Sequence, residues 1–315
     1  MRKSIGADIG GTKMNFAVVG EDGSLEDKFR IPTPAYVSRD EFMDILEKNI
    51  EFLSGKYDVC GIGVGVPGLQ DVEKGVAILA GNCPALHDTP VADILGEKFG
   101  IPAYIDNDVR VATLGEYWFG AGKGARTMIC ITLGTGIGSG IILQGKLWRG
   151  SSYAAGEIGH IRLKEDWLTS TLDMDGTLEA ISSGPAIATA YKKLVNGEKM
   201  EGTVDTTLKA SDVADAARAG DKTAIKVFEE AGRYIGMGMA ACVNIINPEL
   251  VVIGGGLADA GDFLLRPAYE TYRKYTVEVA KRICSLEHAR LGNDAGVAGA
   301  GAMVFHYLDG DRFWI

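Results

Sequence analysis

The sequence predicts an α/β protein built from two related domains. Its 315 residues suffice for about two domains at roughly 100–200 residues each. Short apolar runs alternate with segments of helical spacing along most of the chain. A strand, a glycine turn and a second strand occur near the N-terminus and recur at a constant offset. Ile5, Asp8 and Gly10 correspond in this way to Ile129, Thr132 and Gly134. Such a recurrence marks an internal duplication, although two unrelated glycine hairpins would look the same.

In chain order, Ser4–Asp8 and Lys13–Val19 read as strands and Gly20–Ser24 as a hairpin turn. Phe42, Ile45, Leu46, Ile50 and Leu53 recur at helical spacing and predict a helix over Asp40–Leu53. Val59–Val66 reads as a strand stopped by Pro67-Gly68, Val91–Phe99 as a helix and Ala103–Ile105 as a strand. A helix is predicted over Val109–Trp118, with Asp106–Asp108 as candidate N-caps. Met128–Leu133, the turn Gly134–Ser139 and the strand Gly140–Leu143 then repeat the opening unit, closed by Gln144-Gly145. The remainder reads as mostly helical, over Ser211–Arg218, Lys222–Asn247, Phe263–Ala280 and Val297–Leu308. Strands are predicted at Leu250–Ile253 and Ala289–Leu291. Gly232, Gly236 and Gly238 predict close packing of the second of these helices against a neighbour. The expected domains are 1–118 plus 298–315, and 119–297. No long linker separates them, so a shared cleft is expected.

The composition narrows the function classes. Glycine, at 43 residues, is roughly twice its usual share and clusters in short motifs. The formal net charge is −10 and no Lys/Arg run exceeds two, which argues against a nucleic-acid partner. Cys60, Cys83, Cys130, Cys242 and Cys284 are scattered, with no CxxC, so neither a disulfide framework nor a cysteine metal site is expected. Scattered thiols fit a reducing cytoplasm. No apolar run approaches the ~18 residues of a membrane span. A strand begins by Ser4, so no signal peptide is expected.

Five motifs carry candidate chemistry. In Asp8-Ile9-Gly10-Gly11-Thr12-Lys13 an acid ends a strand, Gly10 and Gly11 turn the chain, and a hydroxyl and a cation follow. Glycines let backbone N–H groups approach phosphate oxygens. Thr12 and Lys13 can add a donor and a positive charge, and Asp8 can orient Mg²⁺ through water. The same pattern suits a plain hairpin. Leu133–Gly140 offers a second phosphate loop through Gly134, Thr135 and Gly136, or a tightly packed sheet. Together the two loops are the stronger signal, because phosphoryl transfer relies on holding phosphates from several sides. In Asp106-Asn107-Asp108 a carboxylate at a strand end can accept a proton from a hydroxyl, and Asn107 can hydrogen-bond with both amide faces. Helix capping is the competing reading. Gly156-Glu157-Ile158-Gly159-His160, with Glu179 beyond it, supplies donors and acceptors suited to vicinal sugar hydroxyls; singly, these residues also read as surface charges and a structural histidine. Gly254-Gly255-Gly256 after an apolar strand leaves a flat surface for a purine, or is a bare turn.

In family order, Asp8–Lys13, Gly65-Val66-Pro67-Gly68, Asn107-Asp108, Leu133–Gly140, Gly156–His160, Glu179 with Ser183-Gly184, and Gly254–Gly256 resemble the ROK family (repressors, open reading frames, kinases), which includes bacterial glucokinases. The resemblance implies an actin-like, hexokinase-type α/β fold of two RNase-H-like domains with a cleft between them. It implies Asp108 as catalytic base and Asn107, Glu157, His160 and Glu179 as sugar ligands, with Gly68 and Asn82 as weaker candidates. ATP with Mg²⁺ would be the phosphate donor, and glucose, giving glucose 6-phosphate, the acceptor that the family favours. Fructose, allose, mannose or an N-acetylhexosamine are the nearer alternatives. A homodimer or homotetramer is the implied assembly.

Two departures stand out. Many family members hold zinc with cysteines between the Gly-His pair and the later Glu; here Ser170, Leu172 and Thr177 take those positions, so no structural zinc is expected. Arg110 replaces a residue that is often small and polar.

Sugar-sensing repressors of the family carry a DNA-binding segment ahead of the kinase-like body. The first phosphate loop begins here at Asp8, so repression is not expected, and a non-catalytic sugar sensor remains the lesser alternative. Gly63–Gly68 fits the GxGxxG spacing of dinucleotide binders, but Pro67 lies inside it and no amphipathic helix follows. The Walker pattern GxxxxGK[ST] does not occur.

Overall fold

The opening apolar run becomes strand β1, Lys3–Ile9, and the Gly10–Thr12 turn returns it antiparallel into β2, Lys13–Gly20. The computed structural model describes residues 1–34, 36–81, 83–170 and 172–315. These fall into two compact units. Met1–Arg126, Gly140–Ala155 and Ala289–Ile315 form the first, and Thr127–Ser139 with Gly156–His288 the second.

In the first unit β3 is Leu25–Pro32, β4 Ile62–Val66, β5 Leu69–Asp71, β6 Val76–Leu79 and β7 Ala103–Asn107. The helices are α1 (Arg39–Ser54), α2 (Val91–Phe99) and α3 (Asp108–Phe119). The main sheet has the order β3-β2-β1-β4-β7, with β1, β4 and β7 parallel. Its core is aliphatic and aromatic: Ile5, Phe16, Phe42, Leu46, Ile62 and Val64 are fully buried. Ser38 caps α1 by accepting from the Glu41 amide, and the apolar stripe of α1 faces this core.

In the second unit β8 is Met128–Leu133. β9, Ile137–Leu143, starts there and continues into Gly140–Leu143, which belongs with the first unit. β10, Lys146–Trp148, also belongs with the first unit, and the second unit goes on with α4 (Leu178–Ser182), α5 (Gly184–Val195), α6 (Ala210–Arg218), α7 (Lys222–Ile246) and β11 (Leu250–Gly254). Then come α8 (Asp262–Tyr275), α9 (Glu278–Ile283) and β12 (Ser285–His288). The second sheet runs β10-β9-β8-β11-β12, with β8, β11 and β12 parallel. Both sheets thus share one order of connections, as a duplicated unit requires. The last helix, α10 (Ala295–Leu308), is buried throughout Ala295–Phe305 and lies against β1, β4 and α3 of the first unit. The glycines of α7 do admit a neighbour: a Cβ at Gly232 or Gly236 would sit 2.3 Å from a carbonyl oxygen of α8.

Two predicted elements are corrected. The helix expected over Phe263–Ala280 is two helices. Thr276 is extended, and Asn244 of α7 fills the break, donating to the Tyr275 carbonyl and accepting from the Val277 amide, both at 3.0 Å. The strand expected at Ala289–Leu291 lies instead at Ser285–His288, paired with Leu250–Ile253. The amides of Arg290 and Leu291 donate to the buried carboxylate of Glu116, which takes them out of any ladder.

Candidate active site

Three parallel strands of the first unit end side by side. Asp8 of β1 is level with Gly65 of β4, and Gly65 with Asp106 of β7. Open α/β sheets bind ligands at such carboxyl ends. Gly65 decides what can stand there. A Cβ on it would lie 3.2 Å from an Asp8 oxygen, 3.5 Å from the Asp108 Cα and 2.6 Å from Val111. Gly65 thus adds no side chain to the corner between Asp8 and Asp108, and a Cβ there would press mainly on Val111.

Asp108 opens α3, and Asn107 is its N-cap. The Asn107 Oδ1 accepts from the amides of Val109 (3.0 Å) and Arg110 (3.1 Å), and its Nδ2 donates to the Gly68 carbonyl at 3.1 Å. Asn107 therefore caps the helix with its oxygen, and its amide holds the Gly68 carbonyl. Gly68 has φ +84°. Asn82 lies outside the described residues. The Gly10-Gly11-Thr12-Lys13 turn is closed by the Gly10 amide on the Lys13 carbonyl at 3.0 Å, with the Thr12 and Lys13 side chains exposed.

The Asp8 carboxyl is pushed up to about 7, first by burial and then by the negative charge of Asp108, against a 3.2 Å hydrogen bond from Asn15. The native state therefore holds a proton that the unfolded chain releases near its ordinary 3.8. Stability of metal-free protein is expected to fall as pH rises from about 4 to 7, and to stay at the lower level above. Urea denaturation across that window checks this, and Asp8→Asn should remove this part of the pH dependence. An identical profile in wild type and variant would contradict the assignment.

Beneath the corner lies a charge cluster that the motifs did not reveal. Asp106 is fully buried, with Arg110 Nε 2.5 Å from one oxygen and Arg149 Nε 2.8 Å from the other. Burial alone would raise the Asp106 carboxyl; the two guanidiniums outweigh it and hold the group below its ordinary range. Arg149 in turn donates to the Tyr307 hydroxyl and lies over the rings of Phe313 and Trp314. Arg110 is four residues from Asp106, close enough in the chain for the pairing to be a local one. Arg149 is 43 residues away, with no local signal.

In the second unit Gly134-Thr135-Gly136 turns β8 into β9, and Gly254-Gly255-Gly256 follows the parallel strand β11. The Gly184 amide at the start of α5 donates to the Gly134 carbonyl at 2.9 Å. Glu179 of α4 accepts from the Ile137 amide at 2.9 Å, so it lies against this glycine turn. Gly156 and Gly159 explain the spacing of the Gly-Glu-Ile-Gly-His motif. A Cβ on Gly156, at φ +94°, would be 2.3 Å from the Ser139 carbonyl, and one on Gly159 2.1 Å from that of Ile137. The motif is thereby laid along the start of β9. His160 Nε2 stands 3.6 Å from a Glu157 oxygen, and among the described residues His160 Nδ1 is buried without a hydrogen-bond partner.

The positions expected to lack zinc ligands have local roles. Thr177 caps α4 by accepting from the Ala180 amide, and Ser170 accepts from the Leu172 amide. The segment is tied by the amides of Leu163 and Lys164 on the Gly176 carbonyl and of Leu178 on that of Ile161. Lys164 sits 3.3 Å from the centre of the Trp167 ring and 2.6 Å from Glu230 of α7.

The pattern of the ROK family matches residues 4–306. The chain belongs to the ROK family. This ROK protein is 36% identical to a glucokinase from Halalkalibacterium halodurans, over 95% of this chain and 94% of that one. Its fold is similar to that of a ROK family glucokinase from Streptomyces griseus, solved in complex with glucose and AMPPNP. The TM-score is 0.81 at 32% identity, covering 96% of this chain and 98% of the other. A ROK hexokinase from Thermus thermophilus aligns at a TM-score of 0.82 and 30% identity, over 98% and 99% of the two chains. The expected hexokinase-type α/β fold is thus the fold of this ROK chain.

Proposed function

We propose that the protein is an ATP-dependent sugar kinase, with glucose as its favoured acceptor and the 6-hydroxyl as the attacking group. The observation that carries this reading is the pair of acids flanking Gly65, with Asp108 at the start of a helix and Asp8 at the end of a strand beside a glycine turn. It agrees with a full-length glucokinase relative and with a structural neighbour that holds glucose and an ATP analogue.

Asp108 accepts the proton of the sugar hydroxyl as its oxygen bonds to the γ-phosphorus, and the bond from that phosphorus to the β–γ bridging oxygen breaks, releasing ADP. Such transfers are loose and depend on positioning and charge neutralisation. The amides of Gly10–Lys13 and of Gly134–Gly136, with the Thr12 and Thr135 hydroxyls, are suited to the phosphates, and Gly254–Gly256 to the purine. Asn107, Glu157, His160 and Glu179, with Gly68 as a weaker candidate, are proposed for the sugar.

Asp8 fits Mg²⁺. It is a hard oxygen donor, raised in proton affinity first by burial and then by the neighbouring charge of Asp108, and a cation would offset both. Among the described residues no cluster of three or more His, Cys, Asp or Glu could hold a metal, and Mg²⁺ is commonly held by one or two carboxylates, phosphates and water. When bound, the ion would neutralise charge on the transferring phosphates. Among the described residues no helix is long and apolar enough to cross a membrane.

The test is ADP formation by purified protein with Mg·ATP and a panel of glucose, fructose, allose, mannose and N-acetylhexosamines. Glucose is expected to give the highest kcat/KM. A clear preference for another sugar would reassign the acceptor, and nucleotide binding without transfer to any sugar would overturn the kinase reading.

A further inference from the structure

Arg110 occupies a position where the family resemblance leads one to expect a small polar residue, and its guanidinium is almost wholly buried, with 3% of the side chain exposed. It makes three separate connections. Nε donates to Asp106, next to the Asn107-Asp108 pair. Nη2 donates to the Gln70 side-chain carbonyl at 3.1 Å, and Gln70 Nε2 in turn donates to the carbonyls of Val66 (2.8 Å) and Pro67 (3.1 Å), immediately before Gly68. Nη1 donates to the Tyr153 carbonyl. Tyr153 is a non-glycine residue at φ +58°, a conformation that persists only where its surroundings hold it. It lies three residues before Gly156 in the chain.

One planar fork thus joins three segments: the β4–β5 connection that carries Gly68, the β7–α3 corner that carries Asn107 and Asp108, and the Gly150–Ala155 loop. We propose that Arg110 is a positioning residue for the acceptor sugar, fixing these segments in the arrangement that a hydroxyl must meet. The proposal rests on the sugar-kinase reading. Lysine does not reproduce the fork, because its three donors radiate from a single nitrogen, whereas the guanidinium spreads five N–H groups over three nitrogens in one rigid plane. A small polar residue would reach none of the outer two. The geometry therefore makes Arg110 a determinant of sugar affinity and not of nucleotide affinity, since none of its three connections is to a glycine turn assigned to phosphate.

The experiment uses the full chain with Arg110→Lys and Arg110→Ala. Lysine keeps a positive charge beside Asp106, so it provides a folded variant even where alanine does not. Glucose KM is expected to rise about tenfold in Arg110→Lys, as a lost charge-assisted hydrogen bond and a displaced loop would give, while the ATP KM stays within twofold. Hydrogen exchange of ligand-free protein is expected to quicken about tenfold at residues 66–70 and 150–155, with the C-terminal half of α3 unchanged. A lower melting temperature with unchanged glucose KM and unchanged local exchange would overturn the proposal and leave Arg110 a purely structural residue. Absence of sugar phosphorylation in the wild type would overturn the kinase reading itself, with local exchange still deciding whether Arg110 joins the three segments.

Discussion

Asp108→Asn is expected to lower the turnover of glucose by about 10²–10⁴-fold, the usual worth of a positioned general base, and to leave glucose binding within a few-fold of wild type. The substitution is nearly isosteric. Asp108 opens α3 with one oxygen accepting from the Val109 amide at 3.0 Å, a bond that the Asn carbonyl retains. The helix and its Asn107 cap should therefore survive. What disappears is a site that takes up a proton. Steady-state kinetics gives the loss in kcat, and calorimetry with glucose gives the binding constant. A parallel loss of binding would make Asp108 a sugar ligand first, and near-normal turnover would remove it as base.

Asp106→Ala is expected to cost about 3–5 kcal/mol of stability, the range found when one partner of a buried ion pair is removed. Arg110 and Arg149, with side chains 3% and 2% exposed, would both lose their carboxylate. Among the described residues Arg149 Nη1 already lacks a hydrogen-bond partner, and the Tyr307 hydroxyl and the rings of Phe313 and Trp314 would be left to hold a buried charge without its carboxylate. Urea denaturation compares the variant with wild type, and a loss below about 1 kcal/mol would show that water or rearrangement satisfies the arginines. The sign with pH follows from the depressed carboxyl. Its contribution is present above the unfolded value near 3.8 and is lost as pH falls through the lower folded value. The wild type should thus lose stability in strong acid where Asp106→Ala has less to lose.

Local pattern made much of this molecule readable. Alternating apolar runs gave β1, β2, β4 and β8, and the recurrence of Ile5, Asp8 and Gly10 as Ile129, Thr132 and Gly134 anticipated two sheets with one order of connections. The glycine motifs marked backbone approaches such as Gly156 and Gly159 on β9. Long-range contacts hid the rest. The break between α8 and α9 is made by Asn244, 31 and 33 residues away from the groups it binds. The amides at Arg290 and Leu291 are taken by Glu116 from a distant helix. Asp106 looked like a helix cap, yet Asn107 does the capping and Asp106 is a buried anion between two arginines, one of them 43 residues on. Short elements such as β5 and β6 carried too few residues for a period to show.

The most direct test of the account is phosphorus NMR on the product formed from glucose and Mg·ATP by the wild-type protein. The account predicts glucose 6-phosphate and ADP in equal amounts, with no free phosphate beyond a trace. ADP with inorganic phosphate and unmodified glucose, or no ADP at all, would contradict it.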